Sequence, residues 1–166
     1  ILLPKNFLIV EGHSECRFLQ TVIKRFYDNE YADIFVLAAE GDTTQQGRSM
    51  DAVNKVYLPL RSIYRDKIVV LCDKSNAQQQ TDFDNFVSSY GLTENADYFV
   101  LDTPSLEEYY PDSWKKTSAE VAQMQTNGEK VTYAETVATE ISKDQFESDM
   151  SVIHTALNKA KERAFG

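Results

Sequence analysis

Residues 67–72, Lys-Ile-Val-Val-Leu-Cys, constrain the fold more than any other stretch of the chain. The run does not alternate between apolar and polar residues, so neither face is prepared for water. It is short for a helix and rich in β-branched side chains, which favour a strand. A strand that is apolar on both faces belongs in the middle of a parallel sheet, with helices above and below it. Residues 6–10, Asn-Phe-Leu-Ile-Val, form a second run of this kind. Each run is followed at once by a carboxylate, Asp73 after the first and Glu11 after the second. Open α/β sheets bind their ligands beyond the carboxyl ends of the strands. Acids delivered there by two buried strands are what a divalent-metal site at a sheet edge requires, and that points to phosphodiester chemistry.

The other elements fall around these two strands. Residues 14–27 predict a helix whose Phe18, Leu19, Val22, Ile23 and Phe26 share a face. Ser14 stands where it can cap that helix, and Gly12 permits the turn leading into it. Residues 33–38 read as a strand, 40–47 as a polar loop and 49–64 as a helix bent or broken near Pro59. Asp73 to Thr81 is a polar stretch before a helix over 82–90 that Gly91 ends. Residues 97–101 give a fourth strand, and Leu106 to Pro111 a short aromatic turn. Helices are expected over 114–124, 131–142 and 143–164. The order β-α-β-α-β-α-β with right-handed crossovers predicts a mostly parallel, four-stranded α/β sheet flanked by helices. Residues 1–112 would form this core and residues 113–166 a helical C-terminal part packed on it, within one domain.

Composition narrows the functions. A content of 42% hydrophobic residues supports a sizeable core. No apolar run approaches the roughly 20 residues of a membrane helix. No secretory leader is visible, and the lack of an initial Met points to a piece of a longer protein. Cys16 and Cys72 are too far apart for a metal-binding spacing, so a reduced, cytoplasmic protein is expected. The net charge of −9 argues against gripping nucleic acid by bulk electrostatics. An acidic domain can still act on DNA when metal ions bring the positive charge. Short basic clusters occur at Lys24-Arg25, Arg61 to Lys67, Lys115-Lys116 and Lys159 to Arg163. Each reads most simply as a solvated helix end.

Glu15 lies four residues after Glu11, one helical turn on, and can address the same pocket. Converging carboxylates repel, and they stay ionised together only beside cations. Hard oxygen ligands of this kind suit Mg²⁺ or Mn²⁺. His13 and His154 read as an exposed turn residue and a structural residue. Tyr109 and Tyr110 read as packing residues, and Glu108 as a solvated neighbour of Glu107. Gly41 and Gly47 are too sparse for a phosphate-cradling loop.

These residues carry a family resemblance. Leu8-Ile9-Val10-Glu11-Gly12-x-Ser14-Glu15-x-x-Phe18-Leu19 resembles the first motif of TOPRIM domains, the topoisomerase–primase fold. The second acid four residues on is similar to the overcoming-lysogenization-defect (OLD) family of nucleases. Val69-Val70-Leu71-Cys72-Asp73 resembles the second motif, Leu106-Glu107-Glu108-Tyr109-Tyr110-Pro111 the Leu-Glu-x-Tyr-Tyr-Pro stretch, and Gly128-Glu129-Lys130-Val131-x-x-Ala134 the lysine segment. The matches fall in family order over residues 7 to 134.

The resemblance implies a TOPRIM-like fold and a metal-dependent endonuclease that cuts or nicks DNA. Glu11, Glu15, Asp73 and Glu107 would hold one or two Mg²⁺ or Mn²⁺ ions, and Lys130 would stabilise the charge built on the phosphate or leaving oxygen. Glu11, Asp73 and Lys130 would be the catalytic set. The expected partners are DNA, an ATPase domain or subunit outside these residues, and further copies in an oligomer, often in defence against phage. One position departs from the pattern: Ser75 stands where the family usually has a second Asp. Either another acid (Asp82 or Asp84) completes the second site, or one ion binds firmly, or the site is degenerate and the domain an interaction module. A receiver-like phosphoacceptor domain with Asp73 as acceptor also puts acids at strand tips, but it leaves the Glu107 segment and the helical end unexplained.

Overall fold

The computed structural model describes residues 6–39, 49–124 and 126–165. The expected loop over 40–47 lies outside the described residues. The strands are β1 (Asn6–Val10), β2 (Ile34–Ala38), β3 (Ile68–Cys72) and β4 (Tyr98–Val100). They form a parallel four-stranded sheet in the order β2-β1-β3-β4. The architecture is α/β, and every pairing among the described strands is parallel. β1 and β3 are the central strands and are buried at every residue.

The helices are α1 (His13–Phe26), α2 (Ser49–Tyr64), α3 (Ala77–Tyr90), α4 (Leu106–Tyr109), α5 (Ser118–Gln123), α6 (Asn127–Glu140), α7 (Lys143–Asp149) and α8 (Ser151–Phe165). Strand periodicity sorts the core into two layers. Leu8, Val10, Val69 and Leu71 pack with residues of α1, α6, α7 and α8. Phe7, Ile9, Ile68, Val70 and Cys72 pack with residues of α2 and α3. The C-terminal helices therefore supply much of one covering layer. Val137, Ile141, Phe146, Ile153 and Leu157 share a cluster with β1 and β3. The Asn6 side-chain amide donates to the Ala160 carbonyl, tying β1 to α8.

Several boundaries differ from the sequence expectation. Gly12, not Ser14, is the N-cap of α1, and it supplies no side-chain hydrogen bond. α2 continues through Pro59 as a single helix. α3 begins at Ala77, inside the stretch expected to be irregular. There Asn76 and Gln79 form a reciprocal capping box that outweighs the polarity of the segment. The first C-terminal helix starts at Ser118 rather than 114, where Thr117 and Glu120 form another such box. The last expected helix is divided at Met150, a fully buried side chain, into α7 and α8.

α1 and α6 lie side by side and run the same way. Arg17 pairs with Glu135 at 3.2 Å, and further along Arg25 donates to the Ile141 carbonyl at 2.8 Å and to that of Ala138. Both helices consequently point their N-termini, with their positive dipole ends, at the carboxyl edge of the sheet.

Candidate active site

β1 connects through α1 to β2 on one side, while β3 lies on the other side of β1. The crevice beyond the carboxyl ends of β1 and β3 is therefore the topological switch point, where such sheets bind ligands. Val10 pairs with Leu71, so the two strand ends are nearly level. Glu11 leaves β1 here and Asp73 leaves β3. The Glu11 carboxylate crosses the gap, and its Oε2 accepts from the Asp73 backbone N–H at 2.7 Å.

Glu15 stands in the first turn of α1 and is 7% exposed. The Ser14 hydroxyl donates to its Oε2 at 3.1 Å, so Ser14 serves the carboxylate rather than the helix end. Gly12 has φ −139° and ψ 174°, extended backbone that any residue adopts. The turn does not require glycine. A Cβ at this position would stand 2.9 Å from Glu15 Oε2, so any larger residue displaces the end of that side chain. Gly12 thus keeps open the space that the Glu15 carboxylate occupies.

Glu107 is in the first turn of α4 and is 2% exposed. Ser105 caps α4 by accepting from the Glu108 N–H at 3.3 Å. Glu108 is partly buried and takes hydrogen bonds from the hydroxyls of Ser105 and Ser118. It is a latch between α4 and α5, not a solvated neighbour. Glu107 has no such latch on its inner side, and its Oε1 is buried without a hydrogen-bond partner.

The electrostatics tie these acids together. Burial pushes the Asp73 carboxyl well above its ordinary range, and the charges of Glu15, Glu11 and Glu107 push it further. Burial raises Glu15, and the Glu11 charge adds to it. Burial also raises Glu107, followed by the Glu15 charge. The Lys130 charge opposes both of the last two shifts. Lys130 is in the first turn of α6, and the parallel packing of α6 on α1 brings its charge within reach of Glu15 and Glu107. Glu11, Glu15, Asp73, Glu107 and Lys130 are thus the residues that the fold gathers around one crevice.

Other candidates fall elsewhere. Ser75 is partly buried just ahead of the α3 cap. Asp82 and Asp84 are exposed on α3, and Asp84 accepts from the Gln80 side chain at 2.9 Å. His13 is exposed at the first position of α1, while His154 stacks on Tyr27 with ring centroids 5.9 Å apart. The Tyr109 hydroxyl accepts from the Val152 N–H at 3.1 Å and so completes the first turn of α8. Cys16 and Cys72 are both free thiols.

Tyr110 is the residue that sequence reasoning assigned to packing alone. Its ring does pack, against Phe18 at 5.5 Å and Tyr133 at 5.8 Å between centroids. Yet its hydroxyl is buried without a partner, and the charges of Glu107 and Glu15 act on it. The available signal was a hydroxyl-bearing residue three positions after a candidate ligand, where Phe would pack equally well.

Among the described residues, no three His, Cys, Asp or Glu side chains stand in a ready-made ligand cluster. The donors nevertheless have the chemistry of a hard-cation site: carboxylate oxygens, one of them buried and unpaired, with the Cβ-free Gly12 beside another. Comparison with protein-family models, curated proteins and solved structures finds no match.

Proposed function

We propose that this chain is a TOPRIM-like, OLD-type nuclease domain that hydrolyses phosphodiester bonds in DNA with Mg²⁺ or Mn²⁺. The observation that carries the reading is the bridge from Glu11 to the Asp73 N–H across the switch point, with Glu15 and Glu107 buried on the same side. Three carboxyls raised by burial and by neighbouring negative charge, with the Glu11 carboxylate beside them, make a poor core and a good cation trap. Glu11, Glu15, Asp73 and Glu107 would hold the ion or ions. A bound divalent ion supplies an activated water and stabilises charge on the departing oxygen.

The chain's own residues do the remainder. Gly12 leaves room for the Glu15 carboxylate, and Ser14 orients it. The Asp73 backbone N–H fixes Glu11. Lys130 offsets the charge of Glu15 and Glu107 and supplies a cation for a phosphate oxygen. A net charge of −9 leaves DNA retention to a basic surface on another domain or subunit. An ATPase on such a partner and a role in phage defence complete the proposal.

A second reading, a degenerate TOPRIM-like interaction module, is favoured by Ser75 at the expected Asp position and by the net charge of −9. Calorimetry separates the two. Mn²⁺ should bind the wild-type chain, and Glu11→Ala should remove that binding while the circular dichroism spectrum stays unchanged. A supercoiled plasmid should be nicked only with Mg²⁺ or Mn²⁺ and not with chelator. Absence of Mn²⁺ binding by the wild-type chain favours the interaction module.

A further inference from the structure

We infer that the Tyr110 hydroxyl is a positioning group of the acid site, which donates to the inner oxygen of Glu107 when the site is loaded with a divalent cation. The inference rests on the metal-site reading above and adds to it a residue that the reading does not use. Its ground is a donor and an acceptor that are both buried and both unpaired. Tyr110 is 2% exposed and its Oη has no partner; Glu107 is 2% exposed and its Oε1 has none. The two residues sit one turn apart at α4, with Glu107 in its first turn and Tyr110 as its C-cap.

Packing accounts for the ring and not for the oxygen. Phe18 and Tyr133 hold the ring from two sides, and Tyr133 is itself anchored by donating to the Trp114 carbonyl at 2.6 Å. A phenylalanine would keep these contacts and avoid burying an unpaired hydroxyl, which costs free energy. The oxygen is placed where two carboxylates act on it, Glu107 foremost. Burial keeps the phenol protonated, so it can only donate toward those carboxylates. Closing this bond fixes one Glu107 oxygen and leaves the other for the ion. Such outer partners orient the ligands of most metal sites.

The test is Tyr110→Phe in the full chain, with Mn²⁺ as the probe. Calorimetry should show Mn²⁺ binding weakened about tenfold, while the metal-free melting temperature is unchanged or higher. Loading Mn²⁺ into the wild type should perturb the tyrosine ultraviolet difference spectrum, as a phenol that gains a carboxylate partner does. Tyr110→Phe should lose that signal and Tyr133→Phe should keep it. Unchanged Mn²⁺ affinity in Tyr110→Phe, or a tyrosine signal that survives it, overturns the assignment. Glu107→Gln is the control for the underlying reading. If it binds Mn²⁺ like the wild type, the metal site itself is misassigned, an outcome distinct from failure of the Tyr110 step.

Discussion

The two ends of the sheet handle charge in opposite ways. At the amino end, Arg163 and Arg61 are each matched by specific partners. Arg163 donates to Asp97 at 2.7 Å and to the Ile68 carbonyl at 3.1 Å, which clamps α8 across β3 and the start of β4. Arg61 donates to the Tyr57 hydroxyl at 3.0 Å and the Tyr90 carbonyl at 3.3 Å, and lies over both rings. A groove of about 610 Å³ there is lined by Arg61, Tyr57, Tyr90 and Asp97 together with Arg65 and Asp66. At the carboxyl end, like charges share a crevice and the buried Glu107 Oε1 and Tyr110 hydroxyl stay unpaired, whereas the one such oxygen at the amino end among the described residues, Asn6 Oδ1, belongs to a neutral amide. Paired charge reads as architecture. Concentrated, unpaired charge of one sign reads as a site, because folding alone gains nothing by keeping it.

The sharpest way to break this contrast is to remove an acid from the carboxyl end. Glu11→Ala or Asp73→Ala should abolish metal-dependent plasmid nicking while circular dichroism and melting behaviour are retained. Full activity in Asp73→Ala would remove β3 from the site. Lys130→Ala should lower turnover by about 10²–10³-fold, as loss of a charge-stabilising donor does, with a much smaller change in Mn²⁺ affinity by calorimetry. Gly12→Ala comes next. Its methyl group would press on Glu15 Oε2, so Mn²⁺ affinity should fall about tenfold with little loss of stability, because the backbone there is extended.

The amino end should answer in stability and not in chemistry. Arg163→Ala should cost about 1–3 kcal/mol, the effect of leaving Asp97 and a strand carbonyl short of a donor. Thermal melting measures this, and nicking per folded molecule should be unchanged. Equal loss of nicking would erase the distinction between the two ends. Smallest of all is the exposed Arg17–Glu135 pair between α1 and α6, which belongs to neither end and contributes at most about 1 kcal/mol.

The pH dependence has a definite sign. Asp73, Glu15 and Glu107 have folded-state values above their ordinary values of 3.8 and 4.5. Their protonated forms are favoured by folding, so the stability tied to them is fully present below those ordinary values. It is lost as pH rises through the elevated ones. The metal-free protein should therefore melt at lower temperature as pH climbs out of the acid range, and Mg²⁺ should restore part of the loss. Asp73→Asn should flatten the profile. A metal-free melting temperature that rises over the same interval contradicts the arrangement of acids.

The central strands were legible in the sequence because burial on both faces leaves an unalternating apolar run, as in Phe7 to Val10 and Ile68 to Cys72. Gly91, with φ +62°, was legible as a helix stop because few other residues adopt that backbone. Helix starts were less legible. Asn76 with Gln79 and Thr117 with Glu120 cap through side-chain reach, which polarity alone does not reveal. The acids Glu11 and Asp73 were readable from their places at strand ends, and Glu15 from helical spacing.

Local order follows from the residues in their chain order: where strands and helices run and which positions could carry charge. Which charges share a dielectric depends on how those elements pack. The strand order β2-β1-β3-β4 brought Glu11 to the backbone of Asp73, sixty-two positions along the chain. The parallel packing of α6 on α1 brought the Lys130 charge to bear on Glu15. The burial of Tyr110 turned a packing aromatic into an unpaired donor, and the closeness of Gly12 to Glu15 gave glycine a purpose other than turning. These are relations between distant residues, and burial makes them strong, because charges feel one another most where water is excluded.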